Sequence, residues 1–127
     1  MKLDAVILKR IGYWRSSDRS DLPDPHEFID TSWDTHDRDV LASYFDSGTV
    51  LRTFRGQSEC RICGKSDNGS AEYTDGTLLW PEGFAHYIRD HSVRPPEELL
   101  DVVRARFSEF EDVTIDANWW KKVTKRK

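Results

Sequence analysis

The chain has 127 residues, enough for one domain on the usual scale of about 100 to 200 residues and too few for two full ones. Hydrophobic residues make up 37% and charged residues 33%, so the core must draw heavily on the aromatics, five Trp, four Tyr and six Phe. No apolar run approaches the roughly 18 to 20 residues that cross a bilayer, and the apolar stretch in MKLDAVILKR is too short for a secretion signal. Membrane partners and export are therefore not expected, and the cytoplasm is.

The net charge of −4 hides an uneven distribution. WWKKVTKRK at the end holds five basic and no acidic groups, leaving 14 basic against 23 acidic residues, a net of −9, in the preceding 118. Residues 17–39 alone carry Asp18, Asp21, Asp24, Glu27, Asp30, Asp34, Asp37 and Asp39 against Arg19 and Arg38. Such a body repels polyanions and suits a basic protein partner.

In chain order, LDAVIL at residues 3–8 reads as a strand, a short apolar run that ends at charges and Gly12. Gly12 to Asp24 is polar loop, because Pro23 and Pro25 bar a helix from running through. From about 35 to 46 the apolar residues Val40, Leu41, Tyr44 and Phe45 recur at helical spacing. Asp34 or Thr35 is placed to cap the start, and Gly48 to supply a left-handed stop. Residues 49–55, TVLRTFR, read as a strand. Strands at 71–73 and 77–80 flank Thr74-Asp75-Gly76, the signature of a tight hairpin.

Pro81 suits the first turn of a helix through His91 that turns Phe84, Tyr87 and Ile88 inward. Pro95-Pro96 opens a further helix to about Phe110, with Glu97 and Glu98 in its first turn and Leu99, Leu100, Val103 and Phe107 on one side. VTI at 113–115 suits a short strand, and WWKK a terminal helix or strand before a basic tail. The expected fold class is α+β, with residues 1–118 as one domain and 119–127 as the tail.

Chemistry concentrates between Cys60 and His91. Cys60 and Cys63 are the whole cysteine inventory and stand at C-x2-C; 22 residues separate Cys63 from His86, and four separate His86 from His91. Two thiolates and two imidazoles complete a tetrahedral zinc sphere, and Gly64 relieves the backbone of the knuckle. A five-residue offset sets the two histidines about 140° apart around a helix, so the helix must bend, loosen or tilt for both to converge. A redox role is disfavoured because the polar turn Gly64 to Gly69 stands where a redox pair has a helix start. His26 and His36 follow no ligand spacing and read as surface groups.

Knuckle, hairpin, then a helix bearing two ligands: over residues 58–92 this order resembles a treble-clef zinc finger rather than the DNA-reading finger, in which about twelve residues separate the two ligand pairs. Four nitrogen and sulfur ligands leave no position for a water, so the zinc is expected to be structural and the chain not an enzyme. Glu82 and Asp75 are the acids a zinc-dependent hydrolase or nuclease would use. The deaminase order, H-x-E before P-C-x-x-C, is reversed here and no H-x-E is present.

LPDPHEFID, SECRICG, NGSAEYTDG and LLWPEGFAHYIRDHSVRPPEE together resemble a group of small bacterial proteins of unassigned function. The group's pattern runs from a Leu-Pro-Asp-Pro loop through C-R-x-C-G to W-P-E-G-x-x-H-Y and H-x-V-R-x-P, and the likeness spans about residues 12–100. It implies a single bacterial zinc-binding domain and no particular activity. The expected role is a binding module that docks a protein partner through its acidic face, which otherwise reads as a solvated loop, and through Tyr13, Trp14, Trp33, Trp119 and Trp120, each of which suits the core equally well. The alternatives are nucleic-acid binding through Lys121, Lys122, Lys125, Arg126 and Lys127, and a zinc-dependent enzyme. Arg89, Arg94 and Asp75 fit either a small anion or neighbouring charges.

Overall fold

A computed structural model describes residues 6–125. The protein is α+β, with a four-stranded sheet and four α-helices among the described residues. Residues up to Arg94 form one compact unit and those from Pro95 onward a second.

In the first unit, β1 (Lys9–Arg10) is followed by a 3-10 turn (Pro25–Phe28), α1 (Thr35–Asp46), β2 (Thr49–Thr53), β3 (Ala71–Thr74), β4 (Leu78–Pro81) and α2 (Phe84–His91). The sheet order is β1-β4-β3-β2. β1 lies parallel to β4, with Lys9 opposite Leu78, while β3 runs antiparallel to both β4 and β2. A register shift between Val50 and Arg52 bends β2 at the sheet edge.

α1 matches its expected bounds. The Asp34 carboxylate accepts the Asp37 amide at 3.3 Å as N-cap, and Leu41, Ala42 and Phe45 are buried on one side. The expected stop at Gly48 differs. Ser47 closes the helix, and Gly48 does not adopt the left-handed conformation; a Cβ there would lie 2.6 Å from the Trp80 ring and 2.8 Å from Tyr73 Cβ. Gly48 is a matter of close approach. The indole of Trp80 fills the space and donates to the Phe45 carbonyl at 2.8 Å. Phe45 meets Trp80 and Phe84 edge to face, at centroid separations of 4.9 and 4.8 Å.

The hairpin forms where Asp75-Gly76 signalled it. Gly76 has φ +95°, and Asp75 Oδ1 accepts the Thr77 and Leu78 amides at 2.9 and 2.7 Å. α2 starts later than expected because Pro81 still belongs to the sheet, opposite Glu72, and Glu82 N–H donates to the Ala71 carbonyl. Its buried face is the expected one, Phe84, Tyr87 and Ile88 with Ala85.

Two expected strands are corrected. Residues 3–5 of the N-terminal strand lie outside the described residues; Val6 and Ile7 are exposed coil, and the strand is the charged pair Lys9–Arg10. Edge pairing with β4, rather than local apolarity, selects those residues. Residues 113–115 are exposed and irregular, and pair with no strand among the described residues.

The second unit holds α3 (Glu97–Ser108) and α4 (Trp119–Thr124). Leu100 and Val103 are buried as expected, whereas Phe107, on the last turn of α3, is exposed.

Candidate metal centre

The cysteine pair sits in a tight knuckle fixed by its own backbone. Gly64 N–H donates to the Cys60 carbonyl and Cys60 N–H to the Lys65 carbonyl, both at 2.9 Å. Gly64 takes φ +77°, a conformation costly for any residue with a Cβ. Ile62 N–H points at Cys60 Sγ, 3.4 Å away, an amide dipole suited to a thiolate. Cys60 is buried in a small core with Tyr87 and Val93, flanked by Trp14, Phe28 and Ile62, while Cys63 is exposed. One ligand is therefore anchored in the hydrophobic interior and its mate lies at the surface.

The histidines come from α2. His91 is the last helical residue, after which Ser92 turns left-handed at φ +54° and Val93 N–H returns to the Tyr87 carbonyl at 3.1 Å. The 140° offset is thus met where the helix ends. The two imidazoles stand edge to face, with centroids 4.9 Å apart and Nε2 atoms 3.2 Å apart.

One donor atom each from Cys60, Cys63, His86 and His91 lies within 4.8 Å of the others. Cys63 Sγ is 3.5 Å from His86 Nε2. With Zn–S near 2.3 Å and Zn–N near 2.05 Å, a tetrahedron has edges of about 3.6 Å between sulfur and nitrogen and about 3.3 Å between nitrogens. The two contacts at His86 Nε2, to Cys63 Sγ and to His91 Nε2, match those edges. The four residues read from spacing are the four brought together, and they could hold a metal ion.

Two neighbours not picked out as part of the site surround these ligands. Asp90 Oδ2 lies 2.7 Å from His86 Nδ1; a proton held on Nδ1 by the carboxylate leaves Nε2 bare toward the ligand cluster. The Tyr87 hydroxyl accepts the Arg61 amide at 2.8 Å and lies against the Cys60 thiol. Burial pushes the Tyr87 hydroxyl up to about 12, so it remains a protonated donor at neutral pH. Burial, then the nearby His86, lowers His91 below its ordinary value and favours the neutral imidazole that can ligate. The signals for both were in the helical spacing, Asp90 one turn beyond His86 and Tyr87 on the inward face.

The acids considered for zinc chemistry are engaged elsewhere. Glu82 Oε1 accepts the Ser70 and Ala71 amides at 2.8 and 3.2 Å, and Asp75 serves the hairpin turn and the Tyr44 hydroxyl. Arg89 pairs with Asp46 at 2.9 Å and Arg94 with Asp30 at 3.1 Å, so both serve neighbouring charges. His26 is exposed beside Asp24, and His36 is exposed on α1.

Of the five aromatics open to either an interface or the core, Trp33 is buried under the Arg94 guanidinium, and Trp14 packs among Phe28, Phe84 and Tyr87. Tyr13 donates to Glu72. Only Trp119 and Trp120 of that set are exposed. No known protein family, curated protein or solved structure matches this chain.

Proposed function

We propose that Cys60, Cys63, His86 and His91 hold one structural zinc ion in a treble-clef-like setting, and that the chain is a binding module for a basic protein partner. The observation that carries this reading is the convergence of two sulfur and two nitrogen donors within 4.8 Å of one another. A set of four protein ligands closes the coordination sphere, which is the character of a structural rather than a catalytic zinc. Metal binding to a site absent from the unfolded chain contributes on the order of 10 kcal/mol to folding, a large supplement for so small an apolar core.

The partner surface is the acidic segment. Several of its carboxylates serve the fold: Asp24 and Asp34 cap helical turns, Asp30 holds Ser32 and Arg94, and Asp21 pairs with Arg19. Asp18, Glu27 and Asp37 are exposed and form no ion pair among the described residues, and these three are offered to a basic partner.

Metal analysis of protein purified without added zinc is the first test, followed by cobalt exchange. One metal per chain with a thiolate and imidazole spectrum lacking a water site supports the reading; an open-site spectrum overturns it in favour of zinc hydrolysis. For the partner, Asp18→Asn, Glu27→Gln and Asp37→Asn together should abolish retention of an identified basic protein while leaving zinc content unchanged.

A further inference from the structure

We infer that α4 is an interfacial anchor that docks on an anionic lipid surface. The inference rests on the second unit and is independent of the zinc site. Trp119, Trp120 and Val123 are 61%, 68% and 45% exposed, although they are the large apolar residues of a helix. At 100° per residue, Trp119, Val123 and Trp120 share an arc of about 100°, and Lys121 and Lys122 share a second arc of about 100° on the opposite side, with Lys125 following as the extended C-cap. A helix with an indole-rich face and a lysine-rich face has the composition of a segment that lies in the plane of a membrane interface.

The charge says which surface. From Ala117 to the end of the chain every ionisable side chain is basic. The nearest acid, Asp116, is used locally, its Oδ1 accepting the Asn118 and Trp119 amides at 2.9 and 3.1 Å and so starting the helix. Phe110, Val113 and Ile115 of the same unit are exposed as well. Glu111 and Asp112 oppose an anionic partner, so the attraction should depend strongly on salt.

A single-stranded nucleic acid takes ring stacking and phosphate pairing from one groove. Here indoles and ammonium groups diverge. A bilayer surface accepts that divergence, with rings among the acyl boundaries and long lysine side chains reaching to the headgroups. No helix among the described residues is long and apolar enough to cross a membrane, so the contact is peripheral.

The test is co-sedimentation of the full chain with phosphatidylcholine vesicles, with and without phosphatidylserine, at low and physiological salt. Binding to the phosphatidylserine vesicles alone is expected. Trp119→Ala with Trp120→Ala, and separately Lys121→Glu with Lys122→Glu and Lys125→Glu, should each reduce it by about tenfold or more. Unchanged circular dichroism establishes that these variants are folded. Failure to bind phosphatidylserine vesicles at low salt overturns the inference. So does binding that needs the lysines but not the tryptophans, and so does tighter binding to a single-stranded oligonucleotide that the tryptophan variant abolishes.

Discussion

His86 Nδ1 lies 2.7 Å from Asp90 Oδ2, one helical turn further along α2, and that contact faces away from the atom His86 shares with the ligand cluster. A carboxylate in this position fixes the tautomer, orients the ring and raises the basicity of the other nitrogen. Asp90 is half-exposed, so its removal should leave the fold intact. Asp90→Ala is expected to weaken metal affinity about 10- to 100-fold with one metal still bound at saturation. Competition against a chromophoric chelator measures this, and an unchanged affinity would show that His86 is oriented by packing alone.

Removing the metal should act differently through the two cysteines. Cys60 is enclosed by Tyr87 and Val93 and Cys63 faces solvent. Cys63→Ser removes a ligand without altering the core and is expected to lose the metal and to melt at the temperature of chelator-treated protein. Cys60→Ser also places a hydroxyl in an apolar cluster and should melt lower still, by a further cost of about 1–3 kcal/mol. Thermal denaturation with and without chelator separates the two. Identical melting of the two variants would mean that the knuckle collapses as a unit.

The four candidate ligands and the hairpin between them were legible because each is signalled by neighbours in the chain: C-x2-C with Gly64, Asp75-Gly76, and two histidines on one helix. α1 was legible for the same reason, through Asp34 and the spacing of Leu41 and Phe45. What escaped depends on residues distant in sequence. Lys9–Arg10 becomes a strand because β4 offers a free edge, and Val6 and Ile7 stay in coil despite their apolar character. Pro81 is a strand residue because Glu72 lies opposite. Trp14 and Trp33 looked like surplus aromatics, yet Trp14 covers the inner wall of the cysteine knuckle and Trp33 lies under Arg94.

Gly48 tests that long-range packing directly. Its φ is ordinary, so alanine brings no backbone strain, and the loss of unfolded-state freedom would by itself stabilise by about 0.4–1 kcal/mol. Against this, the added Cβ meets the Trp80 ring and Tyr73 Cβ, groups locked in the core and the sheet. Overpacking of this kind costs about 1–3 kcal/mol. A net destabilisation of about 1–2 kcal/mol is expected for Gly48→Ala in urea denaturation. A stabilised variant would show that Trp80 can shift without loss.

The buried carboxylate of Glu72 should shape the acid limb of stability. It lies on β3, almost wholly shielded, with Arg52 Nε donating to Oε1 at 2.5 Å, the Arg10 guanidinium 3.4 Å from Oε2, and the Tyr13 hydroxyl donating as well. Burial is the largest single influence and raises its pKa, but the Tyr13 and Arg52 hydrogen bonds and the charges of Arg10 and Arg52 together outweigh it and hold the group below its ordinary value. A carboxyl lower in the folded than in the unfolded chain stabilises fully above the unfolded value and loses that contribution as pH falls through the folded one. Glu72→Gln should therefore lower stability at neutral pH by about 1–3 kcal/mol, because the two arginines are half-exposed and can be rehydrated. The same variant should flatten the decline of stability below about pH 4.5, where wild-type protein takes up the Glu72 proton on unfolding. Release of a metal bound by the cysteines and histidines would fall in the same acid range, since ligands must be deprotonated to bind, so the comparison is made as a double difference between wild type and variant, each with and without chelator. If the two proteins show parallel pH profiles, the Glu72 cluster is neutral to stability and β1 is held by its backbone pairing alone.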